Sequence, residues 1–332
     1  MKIGKLENDL LKRIVFSKIQ FRREEVLTRP GIGEDCAVID FGAYDCVLST
    51  DPITAAADSI GKLAVHVSCN DIASNGVQPL GVLLTVLLPP ETTEAQIEIL
   101  MEQAASAAED IGVEIIGGHT EITEVVRQPV IVSTAVGRKL RTDTEDNAFV
   151  PGDRILVTKQ LGLEGSAILA AEHSEKLKGI LTEEEIAHAA SMLKSISVVK
   201  EGIFAGEIGF RAMHDITEGG VMGAIWEICT AHETGALISL DKIPFDPVTI
   251  KLCEALHLDR YRLISSGSML IVAAPKKALQ IAAVCKEEGI DVTEIGVVTE
   301  ANSGICAVDS SGGDRPFLIL PPEADEIYKV KK

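Results

Sequence analysis

Aromatic side chains make up only 4% of the 332 residues. The core must therefore be built mainly from Ile, Leu, Val and Ala. Cysteine occurs seven times, at Cys36, Cys46, Cys69, Cys229, Cys253, Cys285 and Cys306, yet no two form a C-x-x-C pair. An odd number of thiols, most inside apolar runs, reads as free buried cysteine in a reducing compartment, not as a disulfide or metal framework. Positive charge is scarce: 31 Lys and Arg stand against 50 Asp and Glu, a net charge of −19. Such a chain repels nucleic-acid phosphates and anionic lipid, so neither nucleic acid nor membrane is expected as a partner. Long hydrophobic runs are lacking too. The most apolar stretch, Gly81 to Leu88, is too short to span a bilayer and runs into Pro89-Pro90. Residues Met1 to Glu7 hold no signal-peptide core, and a cytoplasmic location is expected. Low-complexity tracts and fixed-period repeats are absent from the sequence as well.

What is present is the balance of a soluble globular protein, 46% hydrophobic and 24% charged, and long enough for two domains. Helical spacing predicts a helix from Asn8, as its cap, to Ile14. A hairpin is expected from Cys36 to Asp40 and Cys46 to Thr50, turning at Phe41-Gly42-Ala43-Tyr44. A helix through Ile60, Leu63, Ala64 and Val67 should run toward Asn75-Gly76, and Leu80 to Leu88 reads as a buried strand. Thr93 and Gln96 form a capping-box pattern for the next helix, closed at Gly112. Strands are expected at Val113 to Ile116 and Val130 to Val136. The polar stretch 141–147 and Pro151-Gly152-Asp153 mark a boundary, giving domains 1–145 and 146–332. The second half predicts strands Arg154 to Thr158, Ala212 to His214 and Met269 to Ala273, with more to Leu320. Its helices are expected near Ser166 to Ala171, at Glu183 to Ser191, Val221 to Thr230 and Lys277 to Glu287. The class is α/β, with α+β character.

Five short segments place acidic or polar groups at element ends: Gly31-Ile32-Gly33-Glu34-Asp35, Ser49-Thr50-Asp51-Pro52, Asn70-Asp71, Gly117-Gly118-His119-Thr120-Glu121 and His214-Asp215-Ile216-Thr217-Glu218-Gly219-Gly220. Each has an ordinary reading as a turn or cap. Asp71 continues the apolar stripe of its helix, where a carboxylate is expensive unless paired or metal-bound; alternatively the helix ends near Asn70 and Asp71 is solvated. Asp215 with Glu218 fits a helix cap, or else a phosphate or metal site at a helix N-terminus. As a set they fit a site where carboxylates hold Mg²⁺ against a triphosphate, with no Walker lysine loop.

The set resembles the AIR synthase (PurM-like) superfamily. The resemblance rests on Gly33-Glu34-Asp35-Cys36-Ala37-Val38, Ser49-Thr50-Asp51, Gly61-Lys62-Leu63-Ala64-Val65, Asn70-Asp71-Ile72-Ala73, Gly117-Gly118-His119-Thr120, Asp215-Ile216-Thr217-Glu218-Gly219-Gly220, Ser265-Ser266-Gly267-Ser268-Met269-Leu270 and Ile295-Gly296-Val297-Val298. It covers nearly the whole chain in order, and looks nearest to the hydrogenase maturation carbamoyl dehydratase branch. It implies a PurM-like N-terminal domain that forms a β-barrel across a homodimer, and a C-terminal α/β sandwich domain. It implies ATP and Mg²⁺, with Asp35, Thr50, Asp51, Asp71, Asp215 and Glu218 as metal ligands. Asp71, Glu121 and Asp215 would be catalytic. Lys62, Asn70, Gly117, Gly118, His119, Thr120 and Thr217 would contact the nucleotide. The implied activity is phosphorylation of an oxygen on a small-molecule or protein-borne substrate. A small-molecule kinase resembling thiamine-monophosphate kinase, and a non-catalytic ATP-binding maturation partner, stand as alternatives. Three departures are visible. His119 stands where much of the family has Asp, although the selenophosphate branch also shows Gly-Gly-His. The sequence ends Tyr328-Lys329-Val330-Lys331-Lys332 without the terminal cysteine of the dehydratase, its last cysteine being Cys306. No cysteine precedes Cys36.

Overall fold

A computed structural model describes residues 4–54, 59–141, 147–309, 315–322 and 324–330. After helix α1 (Asn8–Ile14), alternating apolar residues build strands β1 (Val26–Thr28), β2 (Ala37–Asp40) and β3 (Tyr44–Ile53). Helix α2 (Ile60–Ser74), β4 (Pro79–Leu88), α3 (Glu94–Asp110), β5 (Glu114–Ile122) and β6 (Val130–Leu140) follow. The remainder comprises β7 (Arg154–Thr158), α4 (Leu163–Glu172), α5 (Ser174–Leu177), α6 (Glu183–Ser191), α7 (Val199–Ile208), β8 (Ala212–Asp215), α8 (Gly220–Ala231), β9 (Gly235–Ser239), α9 (Pro247–Leu256), β10 (Met269–Ala273), α10 (Pro275–Glu287), β11 (Val292–Thr299), β12 (Ile305–Val308) and β13 (Phe317–Leu318). The chain packs as two compact units. One comprises residues 22–30 and 34–143; the other comprises 1–21, 31–33 and 144–332. The expected boundary after residue 145 falls among residues 142–146, outside those described.

In the first unit, six strands lie in the order β1-β2-β3-β6-β4-β5, all antiparallel except β4 with β5. Alternation puts Val47, Ile131, Ala135, Val82, Leu84 and Val86 on the buried face. The opposite face and the β5 edge leave Leu80, Leu83 and Ile116 exposed. Helix α2 is buried almost all round, whereas α3 buries one stripe, Leu100, Ala104, Ala107 and Ala108. The Thr93–Gln96 capping box is present at α3.

The second unit holds a seven-stranded sheet ordered β13-β12-β9-β11-β7-β10-β8. Its interior strands β7 and β10 are buried nearly throughout, as expected of strands covered on both faces. One apolar cluster joins Ile155, Val157, Leu270 and Val272 of the sheet to Val221, Ile225 and Ile228 of α8. A second gathers Leu169, Ala189, Leu252 and Leu263 around α4, α6 and α9.

Several boundaries differ from expectation. Asn8 does not cap α1: it is the first helical residue, and Glu7 precedes it. β3 extends to Ile53 and β5 to Ile122, so Ser49–Pro52 and Gly117–Glu121 are strand residues, not turns, because sheet pairing overrides local turn chemistry. α7, β9 and α9 went unpredicted, although Asp246 before Pro247 was a readable start signal: its carboxylate accepts the Val248 N–H. All seven cysteines are free. Among the described residues, no helix is long and apolar enough to cross a membrane.

The crossing of α2 and α3 depends on Gly61, where a Cβ would lie 2.1 Å from the Leu100 carbonyl oxygen. Gly61→Ala is expected to cost about 1–3 kcal/mol through forced separation of the two helices. Urea unfolding should show a lower midpoint; an unchanged midpoint would show that the helices part freely.

Candidate functional residues of each unit

In the first unit, α2 runs to Ser74 and does not stop at Asn70. Asp71 is therefore enclosed, only 7% exposed, and the solvated-end reading fails. Its carboxylate accepts a hydrogen bond from Ser49 Oγ. The same hydroxyl lies 3.4 Å from Asp51 Oδ2, one step along the same face of β3. Ser74 Oγ, one turn beyond Asp71, donates to the Asp71 carbonyl at 2.7 Å and lies 3.3 Å from Asp35 Oδ2. Two serines thus tie Asp35, Asp51 and Asp71 into one polar group. Ser49 stood inside a quoted motif, but Ser74 carried no signal beyond its i+3 spacing from Asp71.

Other expected members lie elsewhere. Thr50 alternates onto the opposite sheet face, where its hydroxyl pairs with Thr134 at 2.9 Å. Its side chain is not with Asp51. Lys62 and Asp71 are nine residues apart on one helix, a half-turn offset, so they leave α2 on opposite sides. Asn70, adjacent to Asp71, is fully buried. Gly118 stands on one rung with Leu84, Ser133 and Asp51. Three strand spacings separate that rung's ends, about 14 Å. His119 and Glu121 consequently pair with each other, at 3.2 Å and largely exposed, and Glu121 does not stand in as a ligand beside Asp71. Gly118 itself has a packing reason: at φ +150°, a Cβ would sit 1.9 Å from the Leu84 carbonyl oxygen. Gly117 and Thr120 share this exposed strand.

In the second unit, β8 ends at Asp215, and α8 begins only at Gly220 behind a left-handed Gly219. Asp215 is thus no helix cap. It is 1% exposed, and its Oδ2 has no hydrogen-bond partner. His214 Nδ1 lies 3.8 Å from Asp215 Oδ1, while His214 Nε2 meets Glu227 Oε2 of α8 at 3.1 Å. Burial works against ionisation of Glu227, but His214, by hydrogen bond and charge, and Lys5 outweigh it, leaving the carboxyl below its usual value.

The loop between them is held from both chain ends. Glu218 accepts from the Lys5 N–H at 3.2 Å and from Tyr328 Oη at 2.7 Å. Lys5 Nζ donates to Thr217 Oγ1 at 3.4 Å. The Gly219 N–H donates to Asp325 Oδ2 at 2.7 Å, so a carboxylate of this chain takes the donor that a phosphate at the helix N-terminus would use. Asp325 titrates at about 6, raised by burial despite the N–H donors of Ile327, Gly219 and Ile264. Glu164, enclosed in the first turn of α4, titrates at about 7: burial dominates, and Asp325 and Glu218 add repulsion that a Ser266 hydrogen bond only partly offsets. His214 stands beside Asp215 in its motif, but Glu164, Glu227 and Asp325 carry no such signal, since only folding gathers them from distant segments.

Comparison with known proteins bears on these two halves. Residues 33–139 match the family model for AIR synthase related protein, N-terminal domain, and residues 150–309 match that for the C-terminal domain. The chain belongs to the AIR synthase related family. It is 28% identical over 295 residues to the carbamoyl dehydratase HypE of Bradyrhizobium diazoefficiens, covering 85% of this chain and 83% of that one. Among solved structures, a HypE–HypF complex superposes with a TM-score of 0.76 at 21% identity, covering 94% of this chain and 99% of the other. HypE in complex with ATP gives 0.72 at 20% identity, covering 98% and 97%. The fold is thus the PurM-like α/β one.

The donors of this AIR synthase related chain suit a divalent cation. Asp215 offers an enclosed carboxylate oxygen with nothing to satisfy it, and an uncompensated buried charge is costly. Asp35, Asp51 and Asp71 offer hard oxygen donors on a serine-braced frame.

Glu164 gives the AIR synthase related fold a pH dependence. Its folded pKa, about 7, lies above the ordinary 4.5, so the unfolded chain loses this proton first. The stability it contributes is complete below about 4.5 and is lost as pH rises to about 7. Asp325 acts in the same direction. Glu164→Gln should therefore gain on the order of 1–3 kcal/mol over wild type near pH 8, with little difference near pH 4.5. Urea titrations at both pH values check this; equal gains at each would show that ionisation is not the cause.

Proposed function

We propose that this protein is an ATP- and Mg²⁺-dependent enzyme that transfers the γ-phosphoryl group of ATP to an oxygen of a small or protein-borne substrate. The observation that carries the reading is Asp215 Oδ2, enclosed yet without a partner, as a ligand awaiting its cation would be. Similarity to proteins named carbamoyl dehydratase, and to a HypE structure holding ATP, supports it. A divalent cation held by Asp215 would supply positive charge against the negative charge that builds up during transfer. The chain's own work is positional. Ser49 holds Asp71 in one rotamer, Ser74 braces Asp35, and Glu227 braces His214 beside Asp215. Such fixed carboxylates reorganise little at the moment of reaction, which is where catalysis of phosphoryl transfer resides. Dehydration of an amide or carboxamide oxygen is the finer reading, in keeping with the HypE relatives.

Calorimetric titration tests the metal requirement. ATP should bind with Mg²⁺ and lose affinity at least about tenfold with chelator, and Asp71→Asn and Asp215→Asn should weaken Mg-ATP without lowering the thermal midpoint of the unliganded protein. Equal ATP affinity in both conditions would remove the metal clamp. Release of ADP that depends on an added acceptor would identify the substrate class.

We also infer a homodimer formed through the first sheet. Its open face and its unpaired β5 edge expose Leu80, Leu83 and Ile116, surface that a second copy would cover. Light scattering should report about twice the 35.4 kDa chain mass; the monomer mass at micromolar concentration would overturn this.

A further inference from the structure

We propose that His214 supplies a nitrogen ligand to the cation held by Asp215, and that Glu227 is the positioning residue that presents it. This rests on the metal role of Asp215 argued above.

Three observations meet here. First, His214 is itself buried, 3% exposed, and its Nδ1 lies 3.8 Å from Asp215 Oδ1. Two donors each about 2.0–2.2 Å from one ion can be at most about 4.4 Å apart, so the pair is within reach of a single cation. Second, the ring's other nitrogen is committed: Nε2 meets Glu227 Oε2 at 3.1 Å. Glu227 is half-buried on α8, and its carboxylate oxygen faces that nitrogen as an acceptor. The proton of the neutral imidazole then sits on Nε2, and Nδ1 presents its lone pair on the Asp215 side. A carboxylate that fixes the tautomer of a metal-binding histidine is a recurrent second layer around metals. Third, Asp215 Oδ2 is enclosed and unpartnered, which a histidine–carboxylate ion pair alone leaves unexplained.

The chemical consequence is selectivity. Magnesium prefers all-oxygen surroundings, whereas imidazole raises affinity for Mn²⁺, Co²⁺ and Zn²⁺. The Asp215 position should thus favour a transition-metal dication over Mg²⁺.

Pulsed EPR of the full chain loaded with Mn²⁺ reads the ligand directly, without turnover. Wild type should show the nitrogen coupling of a coordinated imidazole, and His214→Gln should lose it. Glu227→Gln should bind Mn²⁺ about 10–100-fold more weakly. Bound Mn²⁺ that requires Asp215 but shows no nitrogen coupling would overturn the proposal and leave the metal role of Asp215 standing. Asp215→Asn with unchanged Mn²⁺ stoichiometry and spectrum would overturn both. Coupling that persists in His214→Gln would assign the nitrogen to another histidine and sink the proposal. Should His214→Gln fail to fold, Glu227→Gln decides: affinity and spectrum identical to wild type would overturn the positioning role.

Discussion

A carboxylate enclosed by protein must be hydrogen-bonded, protonated or paired with positive charge, because an uncompensated ion in a low-dielectric interior costs several kcal/mol. This chain encloses such groups repeatedly despite an excess of acids over bases. Asp71 lies in a helix buried almost all round, Asp215 ends a strand of the second sheet, and Glu164 sits in the first turn of α4. Much of the polar architecture follows from accommodating them.

The solutions differ from place to place. Around Asp71 the answer is hydrogen bonding, with Ser49 and Ser74 linking it to Asp51 and Asp35. At Glu164 it is a raised pKa, caused first by burial, with Asp325 and Glu218 adding negative charge against the relief from Ser266. At Asp215 the hydrogen bonding within the chain is incomplete. One oxygen faces a histidine and the other has no partner. That difference separates the serine-braced acids, which hold shape, from Asp215, whose open oxygen suits an external cation.

Both termini contribute where neither was expected to. Lys5 and Tyr328 converge on Glu218, and Asp325 takes the Gly219 N–H. The loop that looked from its sequence like a helix cap, or an open phosphate cradle, is instead a clamped segment whose donors and acceptors are largely engaged. Glu218 and Thr217 are accordingly less available as ligands than their motif implied, and Asp215 more so.

The motifs alone identified the superfamily and drew attention to Asp35, Asp51, Asp71 and Asp215, because short spacings and turn residues are local and survive in one dimension. Periodicity also placed α6, β7 and β10 at their observed ends, where local propensity and burial agree. Only the folded chain decided the rest. Thr50 and Lys62 leave the acid group through the period of a strand and a helix, facts of direction that a motif does not carry. The strand that carries His119 and Glu121 stands about 14 Å from that of Asp51 because two further strands intervene, and strand order is a tertiary property. Glu227 reaches His214, and Asp325 reaches Gly219, across 13 and 106 residues of chain. Contacts at such separation are set by packing, the one level that a linear pattern of residues leaves open.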